Sequence, residues 1–428
     1  MRPRERTADR RVTAAGLWVA GAFLALAAAS TALPGDVRMG TWLPLHLALA
    51  GAASQAIGAT LPFFTASLLA GRPARWELRA AVQVCLALGA LAVTAGVAVH
   101  APGVAGAGGA VFVAGIGLLA VAAFLPLRRA LGRRHPWVLV AYAVALADVA
   151  AGAALGTLEV AGVVPVQADW SWLEPAHAWL NLLGFVSLVV AGTLLHLYPT
   201  VVGAKLGSGR AMRATVLGLA TGAPLIALGY AAHLDLAGRA GAVAEIVGTL
   251  ALTWYVTTAW LTRGRWTGEL AWRTMSIASL GSSVVWFAVA VAVSAGRVVV
   301  LGAVPAAWSL ALVGAPLAVG WMAQSVIGAW THLLPAISGG SPGRHSRQRG
   351  LLGVAAAPRV VAYNCGAVLL GAGMTLGVPD LVAAGAFVVA AVLMIGLALL
   401  LAASLVPEPG PGETRPPDPA VAGGRTGT

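Results

Sequence analysis

Charge is what this 428-residue chain lacks most. Only 10% of its residues are Asp, Glu, Lys or Arg, where a water-soluble domain carries about 25%. Acidic residues are the scarcer sign, 15 against 27 Lys+Arg, for a formal net charge of +12. So thin a polar skin excludes a water-soluble enzyme, a disordered hub and a nucleic-acid-binding domain. Cysteine is nearly absent. Cys85 and Cys365 leave no disulfide framework and no CxxC metal motif, and both fall in apolar stretches where a free thiol is expected to pack into the core. The short alternating pattern of an outer-membrane barrel is missing too.

What is present is apolar length. Hydrophobic residues make up 59% of the chain, and mean hydropathy is +0.85. A helix crosses a hydrocarbon core with about 20 apolar residues. Twelve such runs are predicted: 13–33, 42–70, 80–99, 109–127, 137–157, 173–202, 214–232, 240–262, 272–294, 306–336, 359–377 and 380–403. The fold class is therefore an all-α membrane protein whose partner is the lipid bilayer. Spans two, six and ten are long, and should tilt or protrude.

The basic residues orient the bundle. With the N-terminus cytoplasmic, every Lys and Arg except Arg38, Arg239 and Arg297 falls on the cytoplasmic side, as the positive-inside rule requires. Both termini are expected inside. The Pro/Gly-rich tail from Pro407 has the composition of a disordered segment.

An internal repeat organises the spans. Gly192 to Pro199 reads GTLLHLYP and Gly328 to Pro335 reads GAWTHLLP, both G-x-x-x-H-L-x-P. The same register in span two reaches Pro62 through QAIGATLP, where Gln55 and Ala59 replace the Gly and His. The following helices open at Arg79, Arg213 and Arg359. The expected plan is a basic tail 1–12, four-helix units 13–127, 137–262 and 272–403, and a tail 404–428. Each Pro also frees the carbonyl four residues earlier, at Leu195 and Thr331. A simple helix bend is an equally good reading of these prolines.

A few polar residues sit where lipid makes them costly. His46 on span two and His177 on span six lie near the outer boundary. His196 on span six and His332 on span ten lie near the inner one. Neutral imidazole ligates copper and haem iron, and an interfacial His can equally snorkel to water. His100, His135, His233 and His345 lie at helix ends or in basic loops and read as solvated. His177, Asn181, Gly184, Leu188 and Gly192 form one stripe on span six, and Gly320, Gln324, Gly328 and His332 another on span ten. Such stripes admit a neighbouring helix or a flat cofactor. Asp148 lies near the middle of span five, where a charge costs about 2.5–3.5 kcal/mol on insertion scales. Glu245 is a milder case on span eight. With Asn181 and Gln324 they are candidates for a proton or polar relay. Trp170, Trp172 and Trp179 read as an interfacial aromatic belt.

Twelve helices in three arcs, with His on helices two, six and ten, resemble the main subunit of haem-copper oxidases and its divergent NnrS-like relatives. HAWLNLLGFVSLVVAGTLLHLYP resembles that group's pattern of H-x-H, then G-[FW], then [YL]-x-P, with His177 as the first His and Gly184-Phe185 as the pair. WLPLHLALAGAASQAIGAT, carrying His46, resembles helix two of actinobacterial members, some of which have copper-protein domains. The resemblance implies a bacterial cytoplasmic membrane protein that binds haem b or copper, with metal ligands at His46 and His177, in respiratory or nitrogen-oxide metabolism. It also implies a copper protein or cytochrome as partner on the outer face. The departures are Trp179 in place of the second His, no His pair on span seven beyond His233 at its end, and no outer-half His on span ten. They argue against oxygen reduction. A secondary transporter or permease, and a non-catalytic scaffold of a respiratory complex, stay open. The parallel four-helix repeat speaks against the usual transporter plans.

Overall fold

The computed structural model describes residues 3–130, 132, 135–205, 207–264 and 271–408. The part of the expected disordered tail after residue 408 lies outside the described residues. Among the described residues there is no strand, and twelve helices are long and apolar enough to cross a membrane. The protein is a multi-pass membrane protein. We number these helices α1 to α12.

α1 runs Pro3–Ser30, with its spanning part at Arg11–Ser30. The others are α2 Trp42–Leu68, α3 Trp76–Ala98, α4 Pro102–Arg128, α5 Pro136–Val160, α6 Trp170–Val202, α7 Gly209–Ala231 and α8 Asp235–Leu261. They continue with α9 Ala271–Leu301, α10 Pro305–Ile337, α11 Ala356–Leu376 and α12 Pro379–Ser404. Each sits on one of the twelve apolar runs. α6 and α10 are the longest, at 33 residues each, as expected, but α2, at 27, is shorter than α9, at 31.

The chain divides into two compact units. One comprises residues 1–196, 207–255 and 291–309, the other 197–206, 256–290 and 310–428. In the first unit α3 and α4 pack through small residues: a Cβ on Gly89 would sit 2.7 Å from the Phe112 backbone. In the second, Phe287 and Trp321 stack at 4.6 Å, and Tyr363 donates to the Val319 carbonyl at 2.9 Å. Large side chains such as Trp18, Trp254 and Phe387 remain exposed, as a lipid-facing surface requires.

α2, α6 and α10 each contain one π-helical stretch: Leu47–Ala53, Trp179–Ser187 and Ala315–Ala323. Such wide turns occur mostly at functional sites. Two of them end alike: Ser54 Oγ donates to Leu49 O at 3.1 Å, and Ser187 Oγ to Leu182 O at 2.7 Å. Proline leaves the expected mark on α6. The Leu195 carbonyl, freed by Pro199, accepts the Tyr255 hydroxyl from α8 at 2.7 Å.

Two expectations need correction. Cys365 is exposed instead of packed in the core, while Cys85 is half-buried; on α11 the small side chain simply falls on the outward face. Trp179 is fully buried against Trp308, with ring centres 6.1 Å apart, so it belongs to the core and not to an interfacial belt. Trp170 and Trp172 do stay near the helix end.

Candidate functional site

The π-helical turns of α2 and α6 lie directly beside two histidines. His46 is the last residue before the first of them, and His177 lies two residues before the second. Their rings face each other across the first unit, with centres 6.3 Å apart and planes inclined by only 21°. Trp42, one turn before His46, stacks on its ring at 4.1 Å. Trp170 approaches His177 at 5.9 Å.

The hydrogen bonds select a tautomer. His46 Nδ1 lies 2.8 Å from the Trp42 carbonyl, and His177 Nδ1 2.8 Å from the Gly152 carbonyl. A carbonyl can only accept, so a proton on each Nδ1 satisfies these two contacts, with the Asn181 amide nitrogen approaching His177 Nδ1 more loosely at 3.3 Å. Nε2 of the neutral ring then holds the lone pair. This is the arrangement of metal-binding imidazoles, whose second nitrogen is fixed by an outer partner.

α5 builds the floor. A Cβ on Gly156 would lie 2.7 Å from His177 Cε1, and one on Gly152 2.4 Å from Asn181 Nδ2. The stripe His177, Asn181, Gly184, Gly192 thus packs on α5, and the glycines of α5 let two polar side chains in. Asn181 Nδ2 donates to the His177 carbonyl at 2.7 Å, which holds the turn in shape. The stripe on α10 is filled differently: Gly320 lies under the Trp286 indole and Gly328 under Leu280. Gln324 is buried with no hydrogen-bond partner for its amide among the described residues.

The acidic pair is also together. Asp148 on α5 and Glu245 on α8 are buried, and close enough for their charges to interact. Asp148 Oδ2 and both Glu245 carboxyl oxygens make no regular hydrogen bond among the described residues, a weak approach of the Ala223 backbone to Glu245 aside.

The remaining candidates lie elsewhere. His196, near the far end of α6, has Nδ1 3.4 Å from the Gly192 carbonyl and the Phe64 edge at 6.0 Å. His332 stacks on Trp272 at 5.8 Å, over which the Arg273 and Arg349 guanidinium groups also sit. Sequence reasoning missed one participant. His135 is not merely solvated: its ring lies 6.4 Å from that of His196. Its place in a basic loop gave no signal of that. His233 pairs with Asp169 at 3.3 Å, and His345 Nε2 donates to the Gly339 carbonyl at 3.1 Å.

The donor set between α2 and α6 fits a metal that takes two imidazoles. Two metal–nitrogen bonds of about 2.0–2.1 Å, each extended by about 1.2 Å to the ring centre, span about 6.4 Å, close to the separation observed. Haem iron with two axial imidazoles, or a two-coordinate copper ion, meets that count. Among the described residues no group of three or more His, Cys, Asp or Glu stands together in a way that could hold a metal ion.

No protein-family model and no curated protein sequence matches this chain. Among solved structures it is similar to a haem-copper terminal oxidase seen as a dimer by cryo-electron microscopy, with a TM-score of 0.67, 12% identity, and coverage of 94% of this chain and 85% of that one. At that identity the likeness is one of fold. The chain has a haem-copper oxidase-like fold.

Proposed function

We propose that this protein is a divergent, NnrS-like relative of the haem-copper oxidase main subunit, holding haem b or copper between His46 and His177. Its place is in respiratory or nitrogen-oxide metabolism, as an electron carrier or accessory subunit that does not itself reduce oxygen. One observation carries the reading: two near-parallel imidazoles, each with Nδ1 beside a carbonyl, 6.3 Å apart on α2 and α6. Iron or copper bound there would take up and return one electron. The chain supplies the rest. Trp42 and the Gly152 carbonyl fix the ring planes, Gly156 gives His177 its space, and the surrounding helices limit water.

The charge pattern favours cytoplasmic termini, which would set these histidines near the outer face. A soluble copper protein or cytochrome is then the natural electron partner. The threefold plan is supported by one contact made three times: Gly16 beside Ala59, His135 facing His196, and Trp272 facing His332. In each, a residue in or just before a unit's first helix meets the same register of its second.

Purified protein should show a haem b spectrum by the pyridine haemochrome assay, or bound copper by metal analysis, at no less than one equivalent per chain. His46→Ala and His177→Ala should each remove one equivalent. Protein free of both haem and copper would end this reading. The buried Asp148–Glu245 pair favours a second one, proton-coupled transport, which predicts proton-dependent flux in vesicles that Asp148→Asn abolishes.

A further inference from the structure

The same helix carries a second facing pair of histidines. His135 and His196 have ring centres 6.4 Å apart and planes inclined by 21°, against 6.3 Å and 21° for His46 and His177. His196 follows His177 by 19 positions on α6, which is about 28 Å of helix at 1.5 Å per residue. The two pairs thus lie at opposite ends of one spanning helix. In the sequence alone His135 reads as a solvated residue of a basic loop.

We propose that His135 and His196 form a second two-imidazole site, for a haem iron or a copper ion, at the end of α6 remote from His46 and His177. Three features support it. The spacing again accommodates one metal between two ring nitrogens, at about 2.0–2.1 Å each. His196 Nδ1 faces the Gly192 carbonyl at 3.4 Å, the start of the outer-partner arrangement that binding tightens. Phe64 closes one side of the His196 ring edge-on, so the ring is held and not swinging in lipid.

The third unit provides an internal control. His332 occupies the matching G-x-x-x-H register on α10, but the ring it faces is Trp272, at 5.8 Å and 20°. Indole has no lone-pair nitrogen to offer a metal. Replacing His332 should therefore change no metal content, while replacing His196 should.

The proposal extends the reading of the first site without depending on it, and the experiment separates the two. Wild type, His135→Gln, His196→Leu, the His46→Ala/His177→Ala double variant and His332→Gln are purified in detergent. Their haem and copper are counted per chain, and electron paramagnetic resonance spectra recorded. The haemochrome spectrum and the metal count distinguish haem iron from copper. Wild type should hold two equivalents. His135→Gln and His196→Leu should each lose one equivalent and one spectral component, the double variant the other, and His332→Gln neither. At about 28 Å along the helix the two signals should be lost independently. His135→Gln changes a residue outside the helix body, so a folding defect in His196→Leu would not decide the matter. Wild-type stoichiometry of one equivalent, lost in the double variant and untouched in His135→Gln, would overturn the second site and leave the first. Loss confined to His135→Gln and His196→Leu would do the reverse.

Discussion

Tyr255 on α8 donates its hydroxyl to the Leu195 carbonyl on α6 at 2.7 Å. That carbonyl lacks its helical donor because residue 199 is proline. The phenol ring is buried, so the bond is made out of reach of water. A proline that opens α6 is thereby turned into a tie between two helices of the first unit.

Tyr255→Phe keeps the ring and leaves the carbonyl bare. A buried acceptor without a partner costs about 1–3 kcal/mol. Unfolding of the purified protein in graded denaturing detergent should shift by that amount. An unchanged midpoint would mean that Leu195 O finds another donor.

Gly156→Val should strip the first site without touching a histidine. Even the first carbon would lie 2.7 Å from His177 Cε1, so the ring must turn away from the Gly152 carbonyl. Loss of an outer partner weakens metal sites by about 10–100-fold. Gly320→Ala, which instead crowds Trp286, should disturb packing in the second unit and leave cofactor content alone. Equal cofactor loss in both variants would count against a local effect.

Asp148→Asn tests how the carboxyl pair is carried. An unpaired anion at mid-span costs about 2.5–3.5 kcal/mol on insertion scales, and an amide of the same shape does not. The variant should keep or raise the unfolding temperature. A clear fall would show that the carboxyl makes a bond the amide cannot copy.

Outside the spans, Glu408 ties the segment after α12 to Ser341 and Arg344. It accepts from the Ser341 backbone N–H at 3.1 Å and lies 3.7 Å from Arg344. The hydrogen bonds from Ser341, followed by the Arg344 and His345 charges, hold its carboxyl below the usual carboxylate range. A depressed value stabilises the folded joint above the ordinary carboxylate pKa of about 4.3, and that contribution fades as pH falls through the folded value. Hydrogen exchange at the Ser341 amide, corrected for its intrinsic rate, should therefore quicken in acid. In Glu408→Gln this acid dependence should vanish.

The sequence by itself determined the twelve helices, because crossing lipid is a local demand: enough apolar residues in a row, with the backbone bonded within each helix. It also marked His46, His177 and the carbonyl that Pro199 frees, since each follows from a residue type at a known depth or offset. It could not supply Tyr255 as the partner of Leu195, the meeting of His135 with His196, or the burial of Trp179. Those depend on how each helix is turned about its axis, where a shift of one residue is about 100°. The π-helical turns of α2, α6 and α10 and the glycines of α5 set that phase, and only the packed tertiary structure fixes it.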